Sequence, residues 1–266
     1  MCTKHLLLGL GLAVGCPGAW ALDSGPKVTV GMAPSYSNGQ YGLDTQTKIV
    51  YLPLYTKVQW NNLDLKLTIP YLSVTGTNSF LSGGTVLNPA GKVKAVTATT
   101  STVATKESGL GDIWLEARYR IQGSGAIPDF IPYAKVKFGT ASYDKGLGTG
   151  ENDYEAGLGA EWAVGKNLFP FLEAGYRGLG SPPGVVLENI ATGTLGVMVQ
   201  ASAHHFLTGL YTRQQAAQPE IADAVDVVVA WNYRSNSGFG FQLFLDKGLS
   251  DSSPDYLAGI GVEQRF

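Results

Sequence analysis

Apolar and polar residues alternate along most of the chain from Lys27 onward, in segments that turn residues separate. Alternation of this kind places successive side chains on opposite faces of a β-strand. There are about twelve such segments, and each is long enough to cross a membrane as a tilted strand. The predicted strands are 27–37, 46–60, 63–75, 110–121, 130–140, 152–164, 168–179, 190–203, 205–215, 223–234, 237–248 and 255–266.

The connections between these segments alternate between short and long ones. Bacterial outer-membrane barrels have an even number of antiparallel strands, short periplasmic turns and longer extracellular loops. We therefore predict an all-β fold, a closed antiparallel transmembrane β-barrel of about 12 strands with short periplasmic turns and longer extracellular loops. The short connections are 61–62, 122–129, 165–166, the region of 204–205 and 235–236, and the longer ones are 75–109, 142–151, 180–189 and 250–254.

Charged residues recur on one face of the predicted strands, opposite the apolar face. In the strand 110–121, for example, Glu116 and Arg118 alternate with Leu115 and Ala117. The apolar face of a membrane barrel contacts lipid, so we expect the charged face to line the lumen. Such charges either tune selectivity or fill a small barrel with ion pairs, and the sequence leaves both roles open. The lumen-lining candidates are Asp64, Lys66, Glu116, Arg118, Arg120, Lys135, Lys137, Glu155, Glu161, Glu173, Arg177, Arg213 and Asp226.

The last predicted strand alternates toward a terminal aromatic residue, Phe266. Such a closing strand resembles the signal that outer-membrane barrels present to the machinery that inserts them. We expect this role for Tyr256, Ile260, Val262 and Phe266.

Composition agrees with a lipid-facing barrel. Only 15% of the residues are charged, whereas about a quarter is typical of soluble domains. No apolar run after the N-terminal region approaches the ~20 residues that a membrane helix needs. The formal net charge of -2 gives no reason to expect nucleic acid as a partner.

The N-terminus predicts a cleaved signal peptide at residues 1–21, followed by the barrel at 22–266. Lys4 supplies the positive charge, residues 6–15 form a short apolar region, and Ala19-Trp20-Ala21 fits the small-x-small cleavage pattern. An alternative is a lipoprotein signal in which Cys16 is lipidated instead of cleaved off. Cleavage after Ala21 removes both cysteines, Cys2 and Cys16, and leaves no thiol for a disulfide or a metal site.

Four short motifs occur in an order that resembles a known family. They are Asn62 to Tyr71, Ser108 to Asp112 leading into Arg118-Tyr119-Arg120, Leu147 to Gly150 followed by Asp153, and the terminal Phe266. Together they resemble the phenol meta-pathway degradation family of outer-membrane channels. One departure is Phe138-Gly139-Thr140-Ala141, where that family tends to have Leu-Pro-Thr-Gly. The resemblance implies a barrel that passes or binds small hydrophobic or aromatic compounds.

An enzyme would need a nucleophile and a base, and the expected mature chain offers few. Its only histidines are His204 and His205, in a predicted periplasmic turn with Ser202 nearby. Outer-leaflet lipid enzymes need a site at the opposite rim. We therefore expect no catalytic residues, no metal site and no cofactor.

The connection 75–109 is far longer than ordinary loops. It either folds inward as a constriction or plug, or forms an extended hairpin above the membrane, which the alternation from Val93 to Val103 favours.

The leading functional hypothesis is an outer-membrane channel or transporter for small, hydrophobic or aromatic molecules in a Gram-negative bacterium. The alternatives are a non-transport envelope or adhesion barrel and a membrane lipid hydrolase. The expected partners are outer-membrane lipids and lipopolysaccharide, the barrel-assembly machinery during insertion, and small-molecule solutes. A barrel of about twelve strands is intermediate in width between small barrels that side chains fill and large barrels with an aqueous pore. The strand number therefore does not decide whether the lumen is filled or open.

Replacing Phe266 with Asp should lower the amount of assembled protein, because the change puts a charge at the end of the closing strand. Heat-modifiable migration on gels measures the assembled fraction in outer membranes. An unchanged assembled fraction would contradict the role of Phe266 in the assembly signal.

Overall fold

A computed structural model describes residues 25–41, 46–76, 105–219 and 221–266, together with the backbone of the short segments 6–7, 13–14, 80–82 and 85–87. Within these residues the chain forms β-strands joined by turns and loops. No helix in the described part is long and apolar enough to cross a membrane.

The strands follow one another along the chain as antiparallel neighbours. The strands are β1 (Leu6–Leu7), β2 (Ala13–Val14), β3 (Lys27–Met32), β4 (Ser35–Gly39), β5 (Thr47–Trp60), β6 (Leu63–Gly76), β7 (Phe80–Ser82), β8 (Thr85–Leu87), β9 (Thr105–Leu110), β10 (Ile113–Tyr119), β11 (Asp129–Phe138), β12 (Asp153–Glu161), β13 (Leu168–Gly178), β14 (Ile190–Gln200), β15 (His205–Gln214), β16 (Ala224–Arg234), β17 (Phe239–Gly248) and β18 (Tyr256–Arg265).

The barrel closes because the last strand pairs with the first strand of the wall. Residues Tyr256–Gly259 of β18 pair with β4, and Val262–Arg265 pair with β3. β3 and β4 are two halves of one wall strand, and so are β9 and β10, since each pair lies along the same neighbours. Counted this way, the wall is a closed antiparallel barrel of twelve strands, which confirms the predicted all-β barrel and its strand number.

Proline and a bulge cause the two interruptions in the wall. Between β3 and β4, Ala33 lies opposite Pro53, and Pro34 has no N–H to give to the ladder. The second interruption is a β-bulge, since residues 111–113 lie opposite only residues 69–70 of β6. The N–H of Gly111 still donates to the Pro70 carbonyl at 2.8 Å.

Alternation along each strand separates a buried inner face from an exposed apolar outer face. In β13, Phe169, Phe171 and Arg177 are buried, whereas Leu172 and Tyr176 are exposed. Exposed Leu, Val, Ile and aromatic side chains cover the outer face around the wall. A closed barrel with this outer surface can satisfy its backbone hydrogen bonds within a lipid bilayer.

Three predictions concern the start of a wall strand, the length of a loop and the N-terminal region. The fourth wall strand begins at Thr105, not at residue 110, because β9 pairs with the upper part of β6. The expected 75–109 loop is correspondingly shorter, and most of it, with the Val93–Val103 alternation, lies outside the described residues. The expected signal peptide lies outside them too, apart from the backbone of β1 and β2.

The register predicts different costs for arginine at two neighbouring positions of β14. Leu195 is exposed on the outer face, and Thr194 lies inside, directly opposite Glu173. Leu195→Arg should destabilise the barrel by about 2–4 kcal/mol if the site is near the bilayer midplane. In Thr194→Arg the new guanidinium lies opposite the Glu173 carboxylate, so this change should destabilise the barrel much less. Urea unfolding in lipid vesicles measures both changes, and the opposite order would show an inverted register.

Candidate functional site

A row of charged side chains crosses one half of the barrel interior. Its members lie directly opposite one another on consecutive strands from β5 to β13, so charge alternates along most of the row. Lys135 donates to Glu155 at 3.2 Å, and Arg177 donates to the same carboxylate at 2.7 Å. We call this set the charged row: Lys57, Lys66, Glu116, Lys135, Glu155 and Arg177.

Further ion pairs reach across several strands beside the charged row. Arg118 of β10 pairs with Glu173 of β13 at 2.6 Å and also contacts Glu116. Arg120 pairs with Asp129 at 2.7 Å and with Glu161 at 3.0 Å. Bonds that skip intervening strands run across the interior as well as around the wall, so they fill this half of the lumen.

The predicted lumen residues fall inside the barrel with one exception. The side chain of Arg213 is 65% exposed, and it lies on the same face of β15 as the exposed Leu207 and Tyr211. Its placement in the lumen was therefore wrong. The residues placed inside are Asp64, Lys66, Glu116, Arg118, Arg120, Lys135, Lys137, Glu155, Glu161, Glu173, Arg177 and Asp226.

Arg213 faces outward because its partner lies in the adjoining connection at the end of the strand. Its guanidinium donates to Asp223 at 2.7 and 2.8 Å. A hydrogen bond from the backbone N–H of Ala216, together with the Arg213 guanidinium, holds the pKa of Asp223 below its ordinary value. The guanidinium therefore has a fixed counter-ion on the outer side.

The other half of the interior contains a large apolar cluster. Its side chains come from β13 to β17 and from the interruption between β3 and β4, and they pack into one cluster. Met198 is 0% and Phe169 is 1% exposed, so side chains fill the lumen at this level. We call this set the apolar cluster: Ala33, Phe169, Phe171, Met198, Phe206, Leu210, Val228, Ala230 and Phe244.

Aromatic rings inside the barrel lie over glycines of the neighbouring strand. A Cβ added at Gly196 would meet the ring of Phe171, and one at Gly259 would meet the ring of Phe244. The absence of a side chain at these glycines lets each ring lie flat against the wall. This arrangement packs the apolar cluster closely and keeps the rings on its inner surface.

A buried lysine organises the end of the barrel that carries the longer connections. Lys137 is fully buried, and its ammonium contacts Asp153 at 2.9 Å, Thr149 Oγ1 at 2.9 Å and Asp112 at 3.2 Å. Three donors thus meet three acceptors, which a buried ammonium requires. The contacts tie the bulge, the strand β12 and the connection 139–152 to one point.

The connection 139–152, which we call the inner loop, folds against the interior of β5 and β6. Leu147 is 1% exposed and packs with Ile49, Leu72 and Ala141. Two of the family motifs meet at this place. Gly150 has a φ of +68°, and a Cβ at Gly148 would collide with Asp112 and Ala141. The Leu147 to Gly150 motif therefore needs its glycines to approach the Ser108 to Asp112 motif.

His204, in the turn 201–204, and His205, at the start of β15, have structural contacts. His204 Nδ1 donates to the carbonyl of Arg234 at 2.8 Å. Trp231 Nε1 donates to His205 Nδ1 at 3.2 Å, and the two rings stack. The Ser202 hydroxyl accepts from the backbone N–H of His204 at 3.3 Å. These contacts give no nucleophile–base pair among the three residues.

Comparison with protein families identifies the chain. Residues 47–266 match the family described as "Putative MetA-pathway of phenol degradation". The chain belongs to this family. The comparison with curated proteins gives no match.

Solved structures show the same fold at low sequence identity. The COG4313 outer membrane channel from Pseudomonas putida F1 aligns with a TM-score of 0.66 at 14% identity, over 94% of this chain and 99% of that one. The KdgM porin gives 0.53 at 8% identity, over 90% and 99%. The translocator domain of the autotransporter NalP from Neisseria meningitidis gives 0.52 at 11%, over 91% and 89%.

Sequence reasoning missed two parts of the interior. Phe244 and Leu210 alternate with outer-face residues that are equally apolar, so no pattern separated the apolar cluster from the lipid face. The inner loop was read as an ordinary connection, although the clustered glycines at 146–150 signal a close backbone approach.

Lys137→Met should destabilise the barrel by about 3–5 kcal/mol, since it leaves Asp112 and Asp153 buried without their cation. It should also release the inner loop. Urea unfolding measures the first effect, and chymotrypsin cleavage at Tyr143 measures the second. The matched control is Lys145→Met, an exposed lysine of the same loop. Equal protease resistance of the two variants would contradict the anchoring role of Lys137.

Proposed function

We propose that the chain is an outer-membrane channel that admits small, mainly hydrophobic or aromatic molecules. The apolar cluster carries the proposal. Interiors of water-filled membrane barrels are polar, whereas half of this interior is lined by Phe, Met, Leu and Val. Such a lining favours a solute that gains by leaving water. Family membership and the outer-membrane channel with the same fold support this proposed function.

Passage requires side chains to move. Met198 and Phe169 are buried in the resting barrel, and the inner loop covers the interior of β5 and β6. A solute that displaces flexible Met and Phe side chains replaces one apolar contact with another. An ion has no such compensation where it meets the apolar cluster. The proposed channel therefore conducts ions poorly while it passes apolar solutes.

The proposal includes the cellular setting. Residues 1–21 act as a cleaved signal peptide, and the barrel-assembly machinery inserts the remainder into the outer membrane of a Gram-negative bacterium. The outer apolar surface then contacts lipids and lipopolysaccharide. The turns 61–62, 162–167, 201–204 and 235–238 lie on the periplasmic side, and the inner loop lies on the outside. The proposed protein has no catalytic role.

Uptake of labelled toluene by intact cells tests the function. Cells with a lipopolysaccharide outer leaflet are needed, because toluene crosses a simple phospholipid bilayer unaided. Expression of the protein should accelerate uptake several-fold, and Met198→Gln should reduce that gain, because it places an amide in the apolar cluster. The control Gln200→Met changes an inner-face residue two positions along the same strand and should leave uptake unaltered.

Uptake that is equal with and without the protein would contradict the channel. Assembly of each variant is checked by heat-modifiable migration, so that loss of protein is not taken for loss of transport. Planar bilayers should show small single-channel currents. Currents typical of open porins would contradict the filled interior.

A further inference from the structure

Two acidic side chains inside the barrel differ from the others. Within the described residues, nine interior carboxylates lie within ion-pair distance of Lys or Arg, and for Asp226 and Asp246 no such partner is found. Buried charges are normally paired or bind a metal. The paired carboxylates are Asp64, Asp112, Glu116, Asp129, Asp153, Glu155, Glu161, Glu173 and Glu263.

The two aspartates are diagonal neighbours on the inner face. Asp226 lies opposite Gly248 and Asp246 lies opposite Val228, so the two positions are offset by two residues across β16 and β17. Diagonal neighbours have their Cα atoms about 7–8 Å apart. Side chains that point to the same face at this spacing can place one oxygen each on a single cation between them.

Both carboxylates have an oxygen without a hydrogen-bond partner in the described part of the chain. Asp246 is only 9% exposed, and its Oδ1 is buried and unsatisfied. Asp226 accepts from the Thr212 hydroxyl at 3.5 Å through Oδ2, while its Oδ1 is unsatisfied.

The two positive side chains at this end of β15 and β17 have other partners. Arg213 points outward and pairs with Asp223. Lys247 is exposed on the outer face, and its ammonium donates to the Asp255 carbonyl at 2.8 Å. Neither can neutralise the two aspartates from the opposite side of the wall. On the inner face, Val228 and Leu257 lie directly opposite Asp246.

We propose that Asp226 and Asp246 form the binding site of a cation, either an inorganic ion or the ammonium group of a solute. No group of three or more acidic, His or Cys side chains in the described chain is placed to hold a metal. The remaining ligands of an inorganic ion therefore come from water and from hydroxyls such as those of Thr212 and Ser253, both of which adjoin Asp226. An organic cation would place its apolar body against the apolar cluster.

Titration calorimetry of the full chain, assembled in detergent micelles, tests the site with two probes used separately, calcium and phenethylammonium. Asp226→Asn and Asp246→Asn remove one charge each without changing size. The matched control is Asp251→Asn, an exposed aspartate of the neighbouring connection. We expect binding to wild type and to the control, and a loss of at least about tenfold in affinity in both interior variants.

The probes distinguish the two sources of the cation. Binding of calcium alone indicates an inorganic ion, binding of phenethylammonium alone indicates a cationic solute, and binding of both indicates a site selective for charge only. Absence of binding to wild type, or equal binding by the Asn variants, overturns the proposal. These outcomes are independent of toluene uptake, so the proposed channel can stand while the cation site fails.

Urea unfolding in the absence of either probe gives a second check. Removing an unpaired buried charge relieves a desolvation cost, so each Asn variant should unfold at the same or a higher urea concentration than wild type. A lower midpoint would show that the carboxylates already have a stabilising partner, and this result too would overturn the proposal.

Discussion

The structure depends on the neutralisation of charge inside the barrel. The charged row puts ammonium, guanidinium and carboxylate groups face to face on consecutive strands, where each is largely removed from water. Charges buried in this way are tolerated only when they are paired and hydrogen-bonded. A slip of one residue at any pairing would turn a charge toward lipid and leave its partner unpaired. The ion pairs therefore favour the observed register of β5 to β13.

The division of the interior into two halves follows from this requirement. Most of the interior ion pairs join residues between β5 and β13, so this part of the wall carries most of the interior charge. The strands that remain, β14 to β18, fill their side of the lumen with the apolar cluster and place rings over glycines. Two contacts join β10 to β13 across the charged half. Arg118 pairs with Glu173, and the guanidinium of Arg177 lies over the ring of Trp114. Function is expected at the apolar half, where displacement of a side chain breaks no ion pair.

Lys137 connects this interior to the loops. A fully buried ammonium must have acceptors, and here they come from the bulge, from the inner loop and from the start of β12. Asp153 also accepts from the backbone N–H of Gly180, and Asp112 accepts from that of Ala141. One charge thus holds several chain segments over the interior. Any opening of this end must keep the Lys137 contacts or replace them with water.

The sequence by itself determined the wall. Alternation along each strand is a local property, and it was sufficient to predict twelve strands, their order and the face of residues such as Glu116 and Leu115. Arg213 was misplaced because the rule that charge points inward holds only within the hydrocarbon layer, and its partner Asp223 lies beyond the strand end. The apolar cluster and the inner loop depended on tertiary structure. Apolar residues occur on both faces of β16, and only closure of the barrel decides which of them face one another. The contacts of Lys137 join residues far apart in sequence, so no local pattern could reveal them.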